Sequence, residues 1–239
     1  MVVVTFISSL KGSDNYMGDF KDYYWKSHTY SLDRDPYVLS NIKTAMFEKG
    51  EEAQQVFEER KRNLKHLAYA PFFFQVVSLF TNLEYDDASV VFLVLRILAL
   101  LALLYTWFVL IQPLNRLQIS TSYLVNGLVI LLYVMFVWRS TIYTDFRVGN
   151  VSIFEQVFLW PGIYFFLKRR YNLFALFVVA SSFIKIVPIV FLGLLACLWF
   201  DREKRKEVYT ALAVGIGGFG LYHFLNYLLD PQIYKTYFF

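Results

Sequence analysis

Polar and apolar positions divide this chain into two unequal parts. Residues 11–66 are rich in Lys, Arg, Asp and Glu, whereas most of 67–229 is apolar. A membrane helix needs about 20 mostly apolar residues, and Ala88–Ile111, Thr121–Trp138, Val151–Leu167 and Val208–Leu229 each reach roughly that length. Tyr171–Phe200 is too long for one straight span and short for two. A kinked helix or a shallow helical hairpin broken near Lys185–Pro188 reconciles its length with its composition. Leu67–Leu83, with Pro71 in its first turn, reads as a helix lying in the membrane interface rather than crossing it. In Glu48–Lys65 the residues Ala53, Val56, Phe57, Leu64 and, just beyond, Leu67 recur at helical spacing among charges, which predicts an amphipathic surface helix.

Composition supports the same class. The chain has 239 residues, 57% hydrophobic, 20% aromatic and 18% charged, with a mean hydropathy of +0.44. Soluble domains carry more charge and less apolar residue than this, so the expected fold is an all-α, polytopic membrane helix bundle. Its expected parts are a short helix remnant and an extracytoplasmic polar segment together over 1–66, and a transmembrane domain over 67–239. The net charge of +4 resides in runs such as Lys168-Arg169-Arg170 and Arg202–Lys206. These read as topology signals rather than as a nucleic-acid surface. The single cysteine, Cys197, lies in an apolar stretch and offers no disulfide framework or cysteine metal site. The opening ten residues are too short to span and lack the basic start of a signal peptide.

Placing both basic runs in the cytoplasm fixes the remaining loops by the positive-inside rule. Residues 171–200 must enter and return, residues 139–150 lie outside, Arg116 lies inside, and the acidic turn Glu84–Asp87 lies outside. If 67–83 does not cross, the 11–66 segment is also outside. The polar N-terminal segment, the 139–150 loop and the break at Lys185 then share one side of the membrane.

Five constellations carry candidate chemistry. Gly18-Asp19-Phe20-Lys21-Asp22-Tyr23-Tyr24 puts a carboxylate after a glycine, where it can serve as a general base or be an ordinary solvated turn. Tyr69-Ala70-Pro71-Phe72 can open an interfacial helix with its tyrosine at headgroup depth. Arg96, about two turns into its span, either snorkels to the interface or faces a polar cavity. Thr144-Asp145-Phe146-Arg147-Val148-Gly149-Asn150 leads into a span and can offer backbone N–H groups and an arginine to an anion, or can simply cap the helix beside a loop arginine. Glu155 lies one turn further on and needs a partner. In Ser181-Ser182-Phe183-Ile184-Lys185-Ile186-Val187-Pro188, two serines and a lysine beside a proline read as a small polar pocket. A charge at bilayer depth costs about 2.5–3.5 kcal/mol, so Lys185 is the residue most in need of a function. It can hold an anion, a lipid-linked phosphate being one candidate, or it can be a lysine that snorkels to the interface. His28, His66 and His223 show no zinc-ligand spacing, and no P-loop, dinucleotide fingerprint or Gly-x-Ser-x-Gly elbow is present.

Taken in order, these elements resemble the pattern of glycosyltransferase family 87, integral-membrane GT-C enzymes that use polyprenol-phosphate-mannose. The matching residues are Asp19 with Tyr23-Tyr24, Asp35-Pro36-Tyr37, Tyr69-Ala70-Pro71-Phe72, Arg147-Val148-Gly149-Asn150 with Asn for the family's Gln, and the lysine and proline of Ala180–Pro188. Arg96 is similar to an arginine of wider GT-C enzymes. The resemblance implies a GT-C bundle that moves a sugar, mannose in the family, from a polyprenyl-phosphate donor to a glycan or glycolipid acceptor. It makes Asp19 the catalytic base. Lys185 and Arg147, with Asn150 beside them, would hold the donor phosphate, and Asp22, Tyr23, Tyr69 and Arg96 would support the site. No metal or other cofactor is required for such a transfer, although a divalent ion remains compatible with it. The implied location is a multi-pass protein of a bacterial plasma membrane with its site on the extracytoplasmic face. Family members begin with a full membrane helix and continue for several more spans, so the chain is expected to be shortened at both ends. A transporter or flippase-like protein for an anionic lipid or solute, and an inactive shortened membrane subunit, are the alternative expectations.

Overall fold

The computed structural model describes residues 16–66, 69–111, 127, 143–198 and 203–238. The expected helix remnant, Arg116 and the expected span Thr121–Trp138 lie outside this set, apart from Gly127. The described residues form helices, and no strand occurs among them. The chain runs through α1 (Gly18–Ser31), α2 (Leu39–Glu48), α3 (Glu51–His66), α4 (Pro71–Ser78) and α5 (Tyr85–Ile111). It continues through α6 (Tyr143–Val148), α7 (Ser152–Leu167), α8 (Tyr171–Ser182), a 3-10 helix (Val187–Leu192), α9 (Gly193–Ala196), α10 (Arg205–Leu229) and α11 (Pro231–Phe238).

Two of these helices, over Tyr85–Leu110 and Arg205–Leu229, are long and apolar enough to cross a membrane. At about 1.5 Å rise per residue, 26 residues reach about 39 Å, more than the roughly 30 Å hydrocarbon core. One side of α5 exposes Val90, Val94, Leu98 and Leu101. That surface is stable in lipid and costly in water.

The polar N-terminal segment folds around aromatic residues. Phe20, Tyr23 and Tyr24 on α1 are buried with Ile42 and Met46 from α2, Phe57 from α3 and Phe74 from α4. The ring of Phe20 stacks on Phe92 of α5 at 4.2 Å, which ties this layer to the first long span. Full burial of each such side chain contributes about 1.5–3 kcal/mol. Helix α3 follows the predicted spacing, with Ala53, Phe57 and Leu64 buried on one face. Arg60 falls on that same face and forms two bonds, 2.5 and 2.7 Å, to the carboxylate of Asp22. Pro71 occupies the first turn of α4 after an extended Ala70. Proline is tolerated there and restrains the residue before it to extended geometry.

A second core joins α7, α8, α9, the 3-10 helix and α10 around Leu159, Phe174, Val178, Leu192, Leu195 and Ala211. Gly215 of α10 permits close packing, since a Cβ there would lie 2.8 Å from a Leu192 methyl. Helix α8 stops at Ser182, and residues 183–186 form turns and bends before the 3-10 helix that holds Pro188. Proline cannot donate the hydrogen bond that would continue a helix and clashes with the preceding turn. Lys185 therefore sits in a break between two helical pieces.

Candidate active site

Helix α1, the α6–α7 junction and the break after α8 meet at one hydrogen-bonded chain. Asn150 Nδ2 donates to Asp19 Oδ2 at 3.1 Å. Asn150 Oδ1 accepts from the Ser152 hydroxyl at 2.7 Å and from Ser152 N at 2.9 Å. Lys185 Nζ donates to Ser152 Oγ at 2.8 Å. An Asn side chain that accepts from the backbone two residues on is an Asx turn, and here it also fixes the orientation of the amide toward Asp19. Lys185 lies 4.0 Å from Glu155 Oε2 and 5.8 Å from the Tyr69 ring centroid. Tyr69 and Tyr23 share a 2.8 Å hydrogen bond between hydroxyls.

The α6–α7 junction is held from three sides. Arg96, 0% exposed, donates to the carbonyl of Phe146 at 3.0 Å and to that of Asp145. Met17 N donates to Arg147 O at 2.7 Å. Gly149 adopts φ +77°, and a Cβ there would lie 2.9 Å from both Met17 Sδ and Phe20 Cβ. Left-handed backbone costs a non-glycine residue about 1–2 kcal/mol, and overpacking adds about 1–3 kcal/mol. Gly149→Ala should therefore lower stability by about 2–5 kcal/mol, read as a drop in thermal unfolding midpoint in detergent. An unchanged midpoint would mean that α1 can move away at little cost.

Burial raises the Asp19 carboxyl above the usual aspartate range, against the opposing pull of Arg60, the Asn150 hydrogen bond, Lys185 and Arg96. Burial likewise raises Asp145, with Arg96 and Lys185 opposing and Asp19 adding to the rise. Because burial outweighs these neighbours at Asp19, its carboxylate is a stronger base than a solvated one. The cations also supply positive charge near any anion that forms beside them. Among the described residues, no group of three or more His, Cys, Asp and Glu is placed to hold a metal ion.

Several sequence expectations need adjusting. The backbone N–H groups at the mouth of α7 do not face an anion: those of Gly149 and Asn150 donate to Asp145 O, and that of Ser152 donates to Asn150. The two serines of the 181–188 stretch do not reach Lys185. Ser181 donates to Glu155 O and Ser182 to Val178 O within its own helix. Arg96 does not snorkel; its guanidinium is buried against α6. Both Asp22 oxygens accept from Arg60, so that carboxylate braces α1 against α3. Arg147 Nε is buried without a hydrogen-bond partner, and its link to α1 runs through its carbonyl. Residues that the sequence reading gave no role are Ser152, Asp145 and Arg60. The phase of Ala53, Phe57 and Leu64 marks Arg60 as an inward-facing charge. Ser152 is marked only by its position two residues after Asn150.

The model of glycosyltransferase family 87 matches residues 67–239. The chain belongs to that family and is a glycosyltransferase. The match includes Tyr69, Arg96, Arg147, Asn150 and Lys185, whereas Asp19, Asp22 and Tyr23 lie before it. No curated protein and no solved structure matches the chain.

Proposed function

We propose that the chain transfers a sugar, mannose being the candidate, from a polyprenyl phosphate to an acceptor hydroxyl on the extracytoplasmic face of a GT-C bundle. The observation that carries this reading is the Asp19–Asn150–Ser152–Lys185 chain, which couples a base to a cation. Beside it lies an apolar cavity of about 400 Å³, lined by Phe73, Phe92, Phe154, Phe183 and Ile184 among others. The residue after Ile184 is Lys185, so a lipid tail in the cavity would bring its phosphate to the ammonium.

The sidedness has its own support. Arg169, Arg170 and Lys206 share a cavity at the far ends of α7 and α8 from Lys185. With these basic residues in the cytoplasm, the site and the 1–66 segment face outward, and 67–239 forms the transmembrane domain.

Asp19 takes the proton of the acceptor hydroxyl as that oxygen attacks the anomeric carbon. The bond from the anomeric carbon to the phosphate oxygen breaks, and its electron pair leaves with the lipid phosphate. Lys185 and Arg147 neutralise the charge that grows on that oxygen. Attack opposite the leaving group inverts the anomeric configuration. Asn150, with its amide on Asp19, acts as a positioning residue.

Purified protein should consume polyprenyl-phosphate-linked mannose and leave nucleotide-linked mannose untouched. Lys185→Ala should lower kcat by about 10²–10³, the usual loss for one donor to a developing charge. Wild-type turnover in that variant, or turnover of the nucleotide donor alone, contradicts the reading.

A further inference from the structure

Ser152 and Glu155 lie one turn apart on α7 and so share a face of that helix. Lys185, in the break after α8, meets both of them. The turn that carries them is also fixed from α8, because the Ser181 hydroxyl donates to Glu155 O at 2.9 Å. Phe154 and Phe158 of α7 and Ile184 line the apolar cavity. The lysine and the carboxylate each follow one of these wall residues in the chain, so the charge pair adjoins the space assigned to the lipid tail.

The pair is open rather than closed. Lys185 Nζ lies 4.0 Å from Glu155 Oε2, beyond the roughly 2.7–2.9 Å of a charge-assisted hydrogen bond. An ammonium has three N–H donors, and among the described residues only Ser152 Oγ accepts from this one. The lysine side chain is 28% exposed and the glutamate 13%. An incoming anion therefore reaches the ammonium first, with the carboxylate set behind it. A carboxylate that served only to neutralise the lysine would close on it. This one leaves the ammonium available and keeps a negative charge beside whatever binds there.

We infer that Glu155 is a specificity-determining residue: it makes the Lys185 site favour the singly charged phosphodiester of the donor over the doubly charged phosphomonoester that transfer leaves behind, and so promotes release of that product. The inference rests on the transferase reading and adds to it a discrimination by charge. Before transfer, the donor phosphodiester and the Asp19 carboxylate carry one negative charge each. The acceptor proton then moves to Asp19, and the electron pair of the broken carbon–oxygen bond stays on the phosphate. Asp19 ends neutral and the monoester approaches two negative charges at neutral pH. One unit of charge has thus moved from Asp19 to the neighbourhood of Glu155.

A phosphate oxygen bonded to Lys185 Nζ lies no more than about 7 Å from Glu155 Oε2. At that separation and an effective dielectric of about 20, one added charge shifts an equilibrium constant by tens of fold, and partial exposure reduces this to about tenfold. Lys185 alone would do the opposite, holding the dianion more tightly and retaining the product. Glu155 offsets that preference without removing the cation that the leaving oxygen needs.

The test is equilibrium binding to the full chain in detergent of two probes that share one lipid tail. Citronellyl phosphate is the monoester and methyl citronellyl phosphate the diester, compared at about pH 8, where the monoester is fully ionised. Glu155→Gln should tighten the monoester about tenfold more than the diester, and inhibition of transfer by the monoester should strengthen to match. Glu155→Asp keeps the charge and should stay close to the wild-type ratio, with the unfolding midpoint of each variant as the fold control. If Glu155→Gln changes both probes equally, or neither, while Lys185→Ala weakens both, the inference is overturned and the donor site stands. If neither probe binds the wild type, or Lys185→Ala binds both unchanged, the phosphate site falls and the inference falls with it. Charge discrimination without any sugar transfer overturns the reaction assignment alone, because the binding readout requires no turnover.

Discussion

Asp19→Asn is expected to lower kcat by about 10²–10⁴, the usual contribution of a positioned general base, without loss of stability. The second half of that expectation follows from the sign of the pKa shift. Burial raises the Asp19 carboxyl above its unfolded value. A raised carboxyl contributes stability that is complete below the unfolded pKa and is lost as pH rises through the folded one. At neutral pH the ionised Asp19 is therefore a burden on the fold, and a neutral amide relieves it. An unfolding midpoint equal to or above wild type, together with collapsed transfer, separates a catalytic role from a structural one. A parallel loss of both would make Asp19 a structural residue.

The same shift predicts the acid side of the pH–rate profile. A base must be ionised to accept a proton, so kcat/KM should fall at a pH above the ordinary aspartate range. The Asn150 hydrogen bond favours the ionised form. Asn150→Ala should therefore displace the acid limb to still higher pH while the alkaline limb stays in place. An acid limb at the ordinary aspartate position in both proteins would assign the base elsewhere.

The all-helical class was legible because hydrophobic runs separated by charged turns leave few other solutions. The break at Lys185 was legible for a local reason: a charge within an apolar run and a proline three residues on cannot both sit in a continuous apolar helix. What joins Lys185 to Asp19 was not legible in the same way. Ser152 is an unremarkable residue in a first helical turn, and its role exists only because α8 ends opposite it. The serines at 181 and 182 looked like better partners by proximity in sequence. Helical geometry turns one of them back onto its own backbone, a common fate of serine within a helix. Arg60 sits in the run Glu58-Glu59-Arg60-Lys61-Arg62, where composition distinguishes nothing. Only the helical phase set by Phe57 and Leu64 singles it out, and its pairing with Asp22 depends on how α3 packs on α1. Long-range pairings of this kind are decided by tertiary packing, which spacing along one element does not encode.

Arg96→Met is expected to reduce kcat by about 10², although Arg96 lies in a span and makes no hydrogen bond to Asp19 or Lys185. Its guanidinium joins α5 to the carbonyls of Asp145 and Phe146, and Asn150 follows four residues later. Loss of that anchor frees the segment that aims Asn150 at Asp19, and a misplacement of about 1 Å at a reacting group costs on the order of 10² in rate. The stability cost should be smaller. Asp145 O keeps the Gly149 and Asn150 amides as donors, so mainly Phe146 O loses its side-chain donor. A buried acceptor left unsatisfied costs about 1–3 kcal/mol, and removal of a desolvated guanidinium offsets part of that. Arg96→Lys should fail to restore the rate, because an ammonium lacks the planar fork that reaches two carbonyls at once. Wild-type kcat in Arg96→Met, or full rescue by lysine, would show that the junction keeps its geometry without the guanidinium fork. The path from α5 to the base would then be absent.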